Sequence, residues 1–112
     1  MINVEVTVAD GAPLRIVSSG HAIRTGSAES APCAAASVVL KSFGLAVVRN
    51  TGCTVQVQAE EPGSFDVQLG ACEDRRWIIG VWAVTETSLR EIAAAWPDEV
   101  RLTITEEKRY GS

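Results

Sequence analysis

Pro32-Cys33-Ala34-Ala35-Ala36-Ser37-Val38-Val39-Leu40-Lys41-Ser42-Phe43-Gly44-Leu45-Ala46-Val47-Val48-Arg49 is almost wholly apolar or small, with Lys41 the only charge before Arg49. Pro is favoured in the first turn of a helix, and Asn50-Thr51-Gly52 supplies a stop, so the spacing predicts a largely buried helix from Pro32 to about Arg49. On its N-terminal side Val4, Val6 and Val8 alternate with Asn3, Glu5 and Thr7 as a half-buried strand. Ala9-Asp10-Gly11-Ala12-Pro13 reads as the turn, and Leu14 to Ser18 returns as the second strand. Beyond the helix, Val55 and Val57 between Gln56 and Gln58, then Phe65, Val67 and Leu69, read as a second hairpin across Glu60-Glu61-Pro62-Gly63-Ser64. Val100, Leu102 and Ile104 alternate with Arg101, Thr103 and Thr105 as a last strand, and residues 106–112 are expected to fray.

Cys72 to Trp96 is ambiguous from the residues alone. Ile78-Ile79-Gly80-Val81-Trp82 has strand propensity, while Ser88-Leu89-Arg90-Glu91 has the form of a capping box. Read as helix, the segment completes the order β-β-α-β-β-α-β. The expectation is an α+β two-layer single domain over residues 1–112, a mixed or antiparallel sheet packed against two helices. A chain of 112 residues, 46% hydrophobic, suits one modest core.

The chemistry concentrates at the first helix. Ser19-Gly20-His21-Ala22 contains the only histidine in the chain, and eleven residues separate His21 from Cys33. A thiol attacks as thiolate, and an imidazole titrating near neutral pH is suited to take its proton and later protonate a leaving group. His21 follows a strand, and Cys33 falls where unpaired N–H groups and the positive end of the helix dipole favour a thiolate. The backbone N–H groups of Cys33 and Ala34 are then candidates to hold an oxyanion. Ile23 to Pro32, rich in Gly, Ser, Ala and Thr, reads as a surface loop able to bring the helix start beside the strand end. The bland reading is that Cys33 is a small buried apolar residue, a common fate for cysteine, and that His21 is an ordinary loop residue.

These residues resemble the ribosomal-processing cysteine protease family, Prp, whose pattern is Ser-Gly-His-Ala, a glycine-containing loop, then Asp-Ile-Val-Cys-Ala-Ala and a serine four residues after the cysteine. Here that reads Ser19-Gly20-His21-Ala22, then Ser30-Ala31-Pro32-Cys33-Ala34-Ala35, with Ser37 in the last position. The family's late pattern is similar to Ser88-Leu89, Ile92-Ala93 and Trp96-Pro97-Asp98, followed by the last strand. The resemblance implies one long helix before Pro97 and a cysteine endopeptidase with Cys33 as nucleophile and His21 as base. It also implies a substrate, the N-terminal extension of a large-subunit ribosomal protein, and a homodimer to which the helix carrying Trp77, Trp82 and Trp96 would contribute. One position departs: the family's aspartate is Ser30 here. An acid there would orient the imidazole, a task a neutral hydroxyl does less well, and Glu29 is the adjacent acid. Ser37 is a candidate for positioning substrate. The competing reading is a non-catalytic peptide- or ribosome-associated binding protein of the same fold, for which Ser30 is the best support. A third, a thiol enzyme acting on a small acyl or redox substrate, finds no CxxC or cofactor motif.

A formal net charge of −4 disfavours direct nucleic-acid binding, which needs a concentrated basic surface. Met1-Ile2-Asn3-Val4-Glu5 lacks the basic and long apolar regions of a signal peptide, and no apolar run approaches the ~20 residues needed to span a bilayer; a cytoplasmic protein without a membrane partner is expected. Three cysteines, an odd number without an export signal, point to reduced thiols. A zinc site from His21, Cys33, Cys53 and Cys72 would require four separate segments to converge, so neither metal nor cofactor is expected.

Overall fold

A computed structural model of the chain describes residues 1–20, 31–58 and 64–107. Its elements are β1 (Ile2–Ala9), β2 (Ala12–Ser19), α1 (Ala31–Arg49), β3 (Cys53–Gln58), β4 (Phe65–Cys72), α2 (Arg75–Ala95) and β5 (Val100–Glu106). The five strands form one mixed sheet in the order β3-β4-β2-β1-β5. β1 runs antiparallel to β2 and parallel to β5, and β4 runs antiparallel to both β2 and β3. This is the expected α+β architecture and element order.

The first turn is tighter than the sequence suggests. Ala9 pairs with Ala12, so only Asp10 and Gly11 form the loop. Both have positive φ, 52° and 81°, the geometry of a type I′ turn, whose twist matches that of the flanking strands. Pro13, expected in the turn, is instead a strand residue opposite Val8, next to an irregularity between Thr7 and Val8. A bulge is where a sheet tolerates a proline.

Alternation along the strands sends Val4, Val6, Ile16, Val67 and Leu69 to one buried face, while Glu5, Arg15, Gln56, Gln68 and Arg101 remain exposed. Both helices use the apolar face. α1 buries Cys33, Ala36, Leu40, Phe43 and Val47, at spacings of three and four. By length and composition α1 is apolar enough to cross a membrane, yet this stripe belongs to the core that includes Val4, Ile16 and Val67, the situation of a core helix. α2 buries Ile78, Trp82, Thr85, Leu89 and Ile92. The two helices meet where the rings of Phe43 and Trp82 form a T-shaped pair, with centroids 6.0 Å apart and planes at 76°.

α2 is one continuous helix, resolving the ambiguity of Cys72 to Trp96. Its cap is Asp74, whose carboxylate accepts from the N–H groups of Arg76 and Trp77. Ser88, which has the form of a cap in sequence, lies inside the helix and donates to the Val84 carbonyl. At the other end, Trp96 donates its N–H to Ile92, and its carbonyl accepts from Glu99 and Val100, turning the chain into β5. The tail is ordered further than expected: Glu106 pairs with Val8, and Glu107 donates its N–H to the Val8 carbonyl.

The expectation of three reduced thiols is corrected at β3 and β4. Cys53 and Cys72 stand opposite each other and form a disulfide. Register places the two cysteines side by side despite their separation of 19 residues.

On the exposed sheet face, Arg15 grips Asp66 with two hydrogen bonds, Nε to Oδ1 at 3.0 Å and Nη2 to Oδ2 at 2.6 Å. The hydrogen bonding to Arg15 holds the Asp66 carboxyl below its usual value; partial burial opposes this and the guanidinium charge adds to it. A folded-state value below the unfolded one stabilises the fold above about pH 4, and that contribution is lost as pH falls through the folded value. In acid titrations monitored by circular dichroism, Asp66→Asn should therefore show a shallower loss of stability below about pH 4 than the wild type. In urea titrations Phe43→Ala should lose about 3–5 kcal/mol, because it empties the joint between both helices and the sheet.

Candidate active site

The sheet order gathers several strand ends at one edge of the layer. Ser19 at the end of β2 pairs with Asn3 near the start of β1, Ser18 pairs with Phe65 at the start of β4, and Ile2 pairs with Val100 at the start of β5. The chain leaves this edge through Gly20, directly before His21. Gly20 has φ of 90°, and a side chain there would run into the Met1 carbonyl oxygen. Only glycine satisfies both the left-handed backbone and this close approach. Met1 is held in place because Ile2 donates its N–H to the Glu99 carbonyl, 2.7 Å away.

Of the sequence-predicted site residues, Cys33, Ala34 and Ser37 are described; His21, Glu29 and Ser30 lie outside the described residues. α1 begins at Ala31, one residue earlier than predicted, which puts Pro32, Cys33 and Ala34 inside the first turn. The first four N–H groups of a helix have no partner within the helix. Pro32 has none to offer, which leaves those of Ala31, Cys33 and Ala34. No acidic residue occupies this turn, so the positive end of the helix dipole is not offset by a side chain within it. Cys33 is 8% exposed and belongs to the buried cluster that includes Ile2, Ile16, Ile92 and Val100. Its thiol is outside the disulfide. Ser37, one turn later, and Ala34 are half-buried.

Ser18 was not singled out in the sequence. It is a buried polar residue, 7% exposed, on β2 three positions before His21, with Val4 and Phe65 as its register neighbours. Its parity with Ile16 places it on the helix-facing side of the sheet. The signal was available in the alternation of β2, where a serine takes a position that should be apolar. The tryptophans of α2 also find their places: Trp82 is buried, and Trp77 and Trp96 are half-buried against the core. The outward apolar residues of the helices are others, Ile79 and Val84 on α2 and Val38, Leu45 and Val48 on α1. Among the described residues no group of three or more His, Cys, Asp or Glu side chains is placed to hold a metal ion.

Residues 1–101 match the family described as cysteine protease Prp. No match occurs among curated proteins. Among solved structures, the essential ribosomal processing protease Prp from S. aureus, in complex with a covalently linked product peptide, superposes with a TM-score of 0.81 at 23% identity, covering 94% of this chain and 100% of that one. The same S. aureus protease in complex with a substrate peptide gives 0.77 at 21% identity, covering 94% and 100%. SMU.848 from Streptococcus mutans gives 0.79 at 20% identity, covering 96% of each chain. At these identities the likeness establishes the fold.

Replacing Gly20 by alanine should cost at least about 1–2 kcal/mol from the left-handed backbone alone, with the contact to Met1 adding to it. Thermal denaturation of Gly20→Ala beside Gly11→Ala tests this, since the added methyl at Gly11 meets only the Ile79 side chain at ordinary contact distance. Gly20→Ala should be the less stable of the two.

Proposed function

The chain belongs to the Prp family of cysteine proteases, and from this we propose that it is a peptide-bond hydrolase using Cys33 as nucleophile and His21 as general base. The observation that carries the reading is the position of Cys33 in the first turn of α1. There the helix dipole is oriented to stabilise negative charge, and the backbone N–H groups of the first turn lie at the same end of the helix. In the proposed reaction His21 takes the Cys33 proton, the sulfur attacks the scissile carbonyl, and the N–H groups of Cys33 and Ala34 receive the oxyanion. His21 then protonates the leaving amine, and water releases the acyl-enzyme. Ser30 takes the place of the family's aspartate, so orientation of the imidazole falls to Ser30 or to the neighbouring Glu29. A thiol depends less than a hydroxyl on an oriented base, which makes this departure compatible with turnover. Ser37, on the same side of α1 one turn on, is proposed to position the substrate backbone.

The proposed substrate is the N-terminal extension of a large-subunit ribosomal protein, and the proposed setting is the cytoplasm. Support comes from the family and from the S. aureus structural neighbours, which are ribosomal processing proteases seen with peptide. The net charge of −4 suits a basic ribosomal segment as partner and disfavours direct nucleic-acid contact. We also propose a homodimer, with the exposed Ile79 and Val84 of α2 and Val38, Leu45 and Val48 of α1 as the apolar surface to be covered. The second reading, a binding protein that holds the peptide without cutting it, rests on Ser30.

Mass spectrometry of a synthetic ribosomal N-terminal extension peptide incubated with reduced protein should show cleavage at one bond. Cys33→Ala should lower this by at least about a thousandfold while leaving the circular dichroism unchanged. Cleavage that survives in Cys33→Ala would refute the mechanism, and intact peptide bound by the wild type would favour the binding protein. His21→Ala should slow alkylation of Cys33 near neutral pH if the pair acts together.

A further inference from the structure

The pairing of Cys53 with Cys72 lies apart from the proposed active site, at the opposite end of the sheet. Cys72 ends β4 and Cys53 begins β3, whereas Ser18, Phe65 and Val100 mark the other end. We propose that Cys53 and Cys72 form a reversible dithiol–disulfide couple that exchanges electrons with a low-molecular-weight thiol of the glutathione class, within the folded protein.

Three observations carry this. The cysteines are held together by more than their own bond. Val55, Gln56, Val57 and Gln58 pair with Leu69, Gln68, Val67 and Asp66. Beside the bond, Cys53 donates its N–H to Asn50 and Glu73 donates its N–H to Gly52, at 3.0 and 2.9 Å. These hydrogen bonds do not involve sulfur, so they persist on reduction and keep the two thiols adjacent. Closure is then an intramolecular step, and opening requires no unfolding.

Access is the second observation. Both cysteines are half-buried, and β3 is an edge strand. Cys72 also lines a cleft of about 360 Å³ with Asp10, Leu14, Gly70 and Arg75. The cleft lies where the β2–β4 pairing ends at Arg15 and Gln68, with Leu14 and Leu69 in its lining. Arg75, whose Nη2 donates to the Asp10 carbonyl at 3.0 Å, lines the cleft and adds a positive charge that suits a small anionic peptide thiol.

The third observation is what the bond joins. Asn50 and Gly52 form the exit of α1, and Glu73 and Asp74 the entry of α2, where Asp74 caps the helix. A bond between Cys53 and Cys72 therefore ties together the distal ends of both helices. Reduction would remove this tie two residues before the Asp74 cap.

In the oxidising direction a thiolate of the pair attacks the disulfide of oxidised glutathione, forming a protein–glutathione mixed disulfide and releasing one glutathione thiolate. The second protein thiolate attacks the protein sulfur of that mixed disulfide, closing Cys53–Cys72 and releasing the second glutathione. The protein pair gives up two electrons and two protons, and two glutathione thiols take them.

The test equilibrates Cys33→Ser protein with mixtures of reduced and oxidised glutathione, traps thiols with N-ethylmaleimide and reads the intact mass, with circular dichroism on the same samples. With Cys33 removed, the result is independent of any protease activity. The expected outcome is that two maleimide labels appear and disappear together while the fold signal stays constant, with faster amide exchange at Arg76 and Trp77 in the dithiol form. Adding Cys53→Ser should instead leave one persistent glutathione adduct on Cys72. Labelling only after denaturation, failure to oxidise in excess oxidised glutathione, or two independent single-label steps would each overturn the proposal.

Discussion

The T-shaped contact between the Phe43 and Trp82 rings is the one on which the layer arrangement depends. Each helix presents a single apolar stripe, and neither stripe alone covers a five-stranded sheet. Setting a ring of α1 on a ring of α2 at 76° lets the two helices lie side by side and close the sheet face as one layer. Small residues make room elsewhere. The Phe65 ring reaches α1 at Gly44, where an added methyl would sit 3.4 Å from it. The opposite sheet face needs no cover, because Glu5, Arg15, Gln56, Gln68 and Arg101 are solvated there, and the Arg15–Asp66 fork ties β2 to β4 across it.

That packing also gives Cys33 two duties. Its side chain belongs to the core cluster, while its backbone belongs to the N-terminal turn of α1, where helices stabilise anions. A thiol in the core is rigidly placed, which suits the proposed role of Cys33 as a nucleophile beside the N–H groups of the helix start. The strand end leading to His21 is fixed from another direction. Gly20 rests on Met1, Ile2 hangs on Glu99, and Glu99 is tied to Trp96 at the end of α2. The end of the second helix thus controls where the chain leaves β2.

The disulfide shows two lines of reasoning in conflict. An odd number of cysteines argues against a complete disulfide framework, a statement about count. Strand register argues for contact, a statement about geometry, and it needs the β3–β4 pairing to be known to the residue. The hairpin residues were legible, but the one-residue irregularity between Cys53 and Val55, which brings Cys53 opposite Cys72, leaves no mark in the alternation.

Sequence by itself determined the two hairpins, the first helix and the last strand, because side-chain alternation and helical spacing are local properties, while Cys72 to Trp96 stayed open between strand and helix. It also singled out the Ser19–Ala22 and Cys33–Ser37 segments, since so unusual a pairing of one histidine with a helix-start cysteine is visible without coordinates. Several features became visible only in the tertiary structure. Asp74 rather than Ser88 caps α2, since a cap is defined by where the chain leaves the neighbouring strand. The turn closes at Asp10–Gly11 rather than over five residues, because a bulge absorbs Pro13 into β2. The outward apolar residues of α2 are Ile79 and Val84, since Trp82 is buried and Trp77 and Trp96 pack against the core. β1 and β5 pair in parallel, and Cys53 meets Cys72, because long-range pairing is set by how the layers pack and not by any one segment's preference.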